Sequence, residues 1–108
     1  QRFDIVVPEK NIKIEVKRDI GSNEYPNYFI EFECNGKDSG ILATKSDFWV
    51  IFDNYKWLWI KVDVLRELSY LYGKFWEGIP KGGASVVKAF RVEKKWIRKH
   101  ATRIYNEV

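Results

Sequence analysis

The 108-residue chain has one cysteine, one histidine and no methionine. Cys34 alone cannot close an internal disulfide, and with His100 the single imidazole, a zinc site of the Cys/His kind is excluded. No apolar run approaches the roughly 20 residues of a membrane-spanning helix, and no charged-then-apolar leader opens the chain. A soluble, intracellular, cytoplasmic protein is therefore expected, with no membrane partner. Proline occurs three times and glycine seven. With no low-complexity tract, internal repeat or linker, one domain over residues 1–108 is expected.

Aromatic residues are plentiful: five Trp, six Tyr and seven Phe within an apolar share of 45%. Each supplies a large buried surface. Nineteen basic residues against fifteen acidic ones give a net charge of +4, which favours acidic partners. The signs are segregated. Glu15, Asp19, Glu24, Glu31, Glu33, Asp38 and Asp47 crowd the first half, while Lys88, Arg91, Lys94, Lys95, Arg98, Lys99 and Arg103 face a single acid, Glu93, near the end. An acidic centre flanked by a basic tail suits a metal-dependent enzyme acting on a polyanion. A solvated basic helix is the plainer account of the same charges.

Alternation sets the first elements. Residues 2–7 read as a strand with Phe3, Ile5 and Val7 on one side and Asp4 on the other. Turn chemistry at Pro8 to Asn11 leads into a second strand, 12–18, and the short connection predicts a hairpin. Ile12, Ile14 and Val16 are expected to face the core, with Lys13, Glu15 and Lys17 facing away. Asp19 to Asn27 reads as a loop, Tyr28 to Cys34 as a third strand, and Asn35 to Gly40 as a turn. Thr44 and Asp47 look like the two halves of a capping box opening a short helix. Trp49–Phe52 and Lys56–Val62 form a second hairpin about Asp53-Asn54. Asp63 caps a helix ending at Gly73, Ser85–Val92 is a strand, and a last helix runs from about Glu93 with Trp96, Ile97, Ala101, Ile104, Tyr105 and Val108 on one stripe. The predicted fold is α/β, built on a mixed sheet.

Glu15 and Lys17, two apart on a strand, project from one face. If the first hairpin pairs, Asp4 reaches the same face. Two carboxylates beside a lysine are what a divalent cation and an attacking water need. Solvent-facing charges on an edge strand would show the same spacing.

The order Asp4, turn, Glu15-Val16-Lys17 on adjacent strands resembles the core motif of the PD-(D/E)XK nuclease superfamily. The stretch from Asn27 to Gly40, Asn-Tyr-Phe-Ile-Glu-Phe-Glu-Cys-Asn-Gly-Lys-Asp-Ser-Gly, followed by Thr44-Lys-Ser-Asp-Phe-Trp49, is similar to the phage and archaeal-virus branch of those nucleases. The resemblance covers roughly residues 2–70. It implies a restriction-endonuclease-like core, a mixed sheet flanked by helices, and a magnesium-dependent endonuclease cutting DNA, with selectivity for branched or flapped shapes. Asp4 and Glu15 would hold Mg²⁺ or Mn²⁺ with the Val16 carbonyl, and Lys17 would stand by the attacked phosphate. Glu31, Thr44 and Lys45 would line the site, and a homodimer in a host cytoplasm would follow for a viral protein. Lys94, Lys95, Arg98, Lys99 and Arg103, outside the resemblance, are expected to contact DNA phosphates. Two features depart from the pattern: Phe3 stands where the motif has Pro, and no acid-bearing helix precedes the first strand. A non-catalytic nucleic-acid-binding module and a protein-binding aromatic surface are the alternatives.

Overall fold

The computed structural model describes residues 5–18, 26–54 and 56–106. Among them, strands β1 (Ile5–Val7) and β2 (Ile12–Arg18) flank a 3-10 turn, Pro8–Lys10. Strands β3 (Asn27–Cys34) and β4 (Lys37–Asp38) lead to a four-residue helix, α1 (Gly40–Ala43). Then come β5 (Phe48–Asp53), β6 (Lys56–Lys61), helix α2 (Val62–Tyr72), β7 (Lys74–Gly78), β8 (Val87–Glu93), helix α3 (Lys94–His100) and β9 (Arg103–Asn106).

The fold is mixed α/β, with two sheets where a single one was expected. One has five strands in the order β1-β2-β5-β6-β9, and the other has four in the order β4-β3-β8-β7. Among the described strands only β2 and β5 run parallel; the other pairs are antiparallel. Parallel neighbours need a crossover. Here the chain leaves β2, builds half of the second sheet with β3, β4 and α1, and returns to lay β5 beside β2.

The core fills the space between the sheets. Tyr28 and Ile30 come from β3, Trp49 and Ile51 from β5, Leu58 and Ile60 from β6; Leu65 and Leu68 of α2 and Ile97 of α3 close it. Burying side chains of this size contributes about 1.5–3 kcal/mol each. α2 carries its apolar residues at helical spacing, and its Tyr72 ring stacks on Trp96 of α3 with centroids 4.2 Å apart and planes 5° from parallel.

Several boundaries differ from the sequence reading. The short helix lies before Thr44, which follows its last turn as C-cap, so the Thr44/Asp47 capping box does not form. α1 can begin where it does because Gly40 adopts φ +48°, and a Cβ there would collide with the Glu31 carbonyl oxygen. α2 starts at Val62, with Asp63 in its first turn rather than at its cap. The last helix stops at His100. The Ile104 and Tyr105 that continue its apolar stripe belong to β9, where they pair with Leu58 and Trp57 of β6. Satisfying an open strand edge outweighs about two more helical turns. β7 was not foreseen: Trp76 in it packs edge-on against Phe29, centroids 5.0 Å apart.

Candidate active site

The β2–β5 register fixes where the Glu15-Val16-Lys17 stretch points. Glu15 lies opposite Trp49 and Lys17 opposite Ile51, and residues paired across a ladder share a face. Trp49 and Ile51 are core residues, so Glu15 and Lys17 lie on the inner face of the five-stranded sheet. Alternation had assigned that face to Ile12, Ile14 and Val16. Both faces of β5 are apolar, so alternation does not name its inner one, and β2 follows β5 through the ladder.

The core thins toward this edge. The Glu15 side chain is 13% exposed and that of Lys17 is 49% exposed. Lys17 Nζ sits 3.6 Å from Glu15 Oε2 and 5.4 Å from the centre of the Trp49 ring, an ion pair with a cation–π contact behind it. Buried Thr44 donates from Oγ1 to Glu15 Oε1 at 3.5 Å, and the same Oγ1 accepts the Ser46 N–H at 3.1 Å. The Thr44 segment is itself anchored. The Arg66 guanidinium on α2 donates to the Ile41 carbonyl at 2.8 Å and to the Thr44 carbonyl at 3.1 Å. Asp47 completes the brace: its N–H donates to the Lys13 carbonyl at 2.8 Å, and its carboxylate accepts the Lys13 N–H at 2.9 Å.

The arrangement is a half-buried carboxylate whose two oxygens meet a hydroxyl and an ammonium on the rim of the core. Such an oxygen donor suits Mg²⁺ or Mn²⁺, and the ammonium suits a phosphate. Asp4, the expected second carboxylate, lies outside the described residues. Among the described residues no group of three or more His, Cys, Asp or Glu gathers to hold a metal ion. Val16 pairs with Val50 on β5. Of the other expected lining residues, Thr44 is brought to Glu15, while Lys45 is exposed and Glu31 accepts a 2.6 Å hydrogen bond from Ser39. A cavity of about 280 Å³ lined by Ser46, Asp47, Phe48, Lys61, Val62 and Asp63 adjoins the Thr44 segment without including Glu15 or Lys17.

No family model, curated protein or solved structure matches the chain.

The basic residues near the end divide between three settings. Lys94 and Arg98 turn inward to Asp53, the buried last residue of β5: Arg98 Nη2 is 3.0 Å and Lys94 Nζ 3.7 Å from its Oδ2. The Tyr28 hydroxyl donates to the same oxygen. Burial first, then the hydrogen bond and charge of Asp53, hold the Tyr28 phenol above its ordinary range. Lys95 and Lys99 stay exposed and flank the Trp96 ring at 5.2 and 5.8 Å. Arg103 belongs to β9 rather than to the helix, and His100 is exposed at the end of α3. Sequence reasoning missed Trp49 and Arg66 as supports of the site and Asp53 as an anchor. An Asp-Asn pair between two apolar runs gives a turn signal, and only the tertiary fold brings Tyr28 to it.

Proposed function

We propose that the chain is a metal-dependent endonuclease that cleaves DNA phosphodiester bonds on a restriction-endonuclease-like core. The observation that supports it most is Glu15 with Lys17 3.6 Å away on the inner face of β2, braced by Thr44. Asp4 and Glu15, with the Val16 carbonyl, would hold Mg²⁺ or Mn²⁺. A cation so bound supplies an acidified water and neutralises phosphate charge. Glu15 keeps its carboxylate oriented through Thr44. Lys17, half in solvent, places its ammonium where negative charge builds on the phosphate. Lys95 and Lys99 would add sequence-independent phosphate contacts, and a homodimer would present two sites to a branched substrate.

Replacing Glu15 with Gln keeps the shape and removes the charge. Cleavage of labelled linear, nicked, flapped and four-way DNAs in Mg²⁺ or Mn²⁺ should be abolished, with DNA affinity in EDTA retained. Full cleavage by Glu15→Gln would overturn the assignment. A non-catalytic nucleic-acid-binding module is the second reading. It predicts salt-sensitive binding with no metal-dependent product.

A further inference from the structure

The outer face of the five-stranded sheet carries a second, separate pattern. All three helices and the four-stranded sheet contribute to the core on the inner face, beside Trp49, Ile51, Leu58 and Ile60. The opposite face buries Ile14 and Val50 and leaves Arg18, Arg103 and Tyr105 exposed. The register writes two rows across it. Arg18, Phe52, Trp57 and Tyr105 lie side by side on β2, β5, β6 and β9. The next row ends with Trp59 and Arg103 on β6 and β9. The rings are in mutual contact: Phe52 and Trp57 have centroids 4.4 Å apart, Trp59 and Tyr105 6.5 Å, and the Arg18 guanidinium lies 5.5 Å from the Phe52 centre. Phe52, Trp57 and Trp59 are half-buried and Tyr105 is 52% exposed.

We infer that this face binds single-stranded nucleic acid, unpaired bases stacking on the rings while Arg18 and Arg103 meet the phosphates. The charge selects the occupant. Every charged side chain that the described strands place on this face is basic, so a second copy stacked face to face would oppose like charges, whereas a polyanion is complementary. The aromatic row accounts for the strandedness, because only unpaired bases offer both ring faces to a sheet. The inference rests on the nucleic-acid part of the proposed function and adds to it a surface on the reverse side of the sheet from Glu15, suited to the unpaired arm of a flapped or branched substrate.

The test measures fluorescence anisotropy of a labelled oligo(dT) and of a blunt duplex of equal length, in EDTA at low salt, with wild type, Tyr105→Ala and Arg18→Gln. Tyr105→Ala should weaken oligo(dT) binding about tenfold and leave duplex binding unchanged. Arg18→Gln should weaken oligo(dT) binding and flatten its salt dependence. Absence of oligo(dT) affinity, or affinity untouched by both changes, overturns the inference. So does a Tyr105-dependent dimer in sedimentation, or binding to phosphatidylserine vesicles, if either occurs without oligo(dT) affinity. The two proposals fail separately. A wild type that cuts no DNA but loses oligo(dT) affinity on Tyr105→Ala sinks the nuclease and keeps this surface; a cutting wild type with Tyr105-independent binding does the reverse.

Discussion

Asp53 is the residue on which the two sheets and α3 converge. Its buried Oδ2 takes the Tyr28 hydroxyl from the four-stranded sheet and Arg98 from the helix. The phenol in this setting keeps its proton above its ordinary pKa near 10, so the folded protein holds a proton that the unfolded chain releases. The stabilisation is thus complete below pH about 10 and is lost as pH rises beyond that. Tyr28→Phe should lower stability by about 1–3 kcal/mol at neutral pH, since a buried carboxylate oxygen loses one of its donors. It should also unfold with a shallower decline above pH 10 than wild type, in urea melts at stepped pH. Parallel declines for both proteins would show that the phenol is not coupled to folding. At the site, that Glu15 and Lys17 share a face was legible from their spacing of two, whereas which face was not.

That ambiguity is a property of the strands. β5 is apolar on both sides, with Val50 buried outside the main core and Trp49 and Ile51 within it, whereas β2 alternates apolar with charged residues and still turns Ile14 away from that core. Period-two alternation identifies a strand, but the side that faces the main core is set by the neighbour it pairs with, which for β2 is β5. β9 failed for a related reason, because Ile104 and Tyr105 fit a helical stripe as well as a ladder position, and pairing with β6 decided between them. The hairpin of β5 and β6, the bounds of β2 and β3 and the end of α2 were readable, since their turn residues are local signals. The turn before α1 makes a sharp demand on sequence. At Gly40, φ is +48° and Glu31 stands where a side chain would begin, so Gly40→Ala should cost upward of about 2 kcal/mol in urea unfolding. A neutral substitution there would mean that α1 can shift its start. Since α1 leads directly into Thr44, the same variant should also loosen the brace on Glu15.

For the molecule as a whole, the shared core and the Asp53 cluster bind both sheets into one unit. Amide hydrogen exchange should therefore give Ile30 of β3 and Ile51 of β5 the same opening free energy, equal to that of global unfolding. Slower exchange in one sheet alone would reveal two independent units. The parallel pairing of β2 with β5 has a further consequence, for the order of events in time. Ile14 and Phe48 are partners, yet β3, β4 and α1 intervene between them along the chain. β6 likewise waits for β9, which follows α3. The middle of the larger sheet is thus assembled from contacts distant in sequence, the kind that slow a domain of this size toward milliseconds to seconds. During synthesis β1 and β2 emerge as a bare hairpin, its apolar flank unshielded until β5 has left the ribosome, and that interval is when the chain is most open to mispairing.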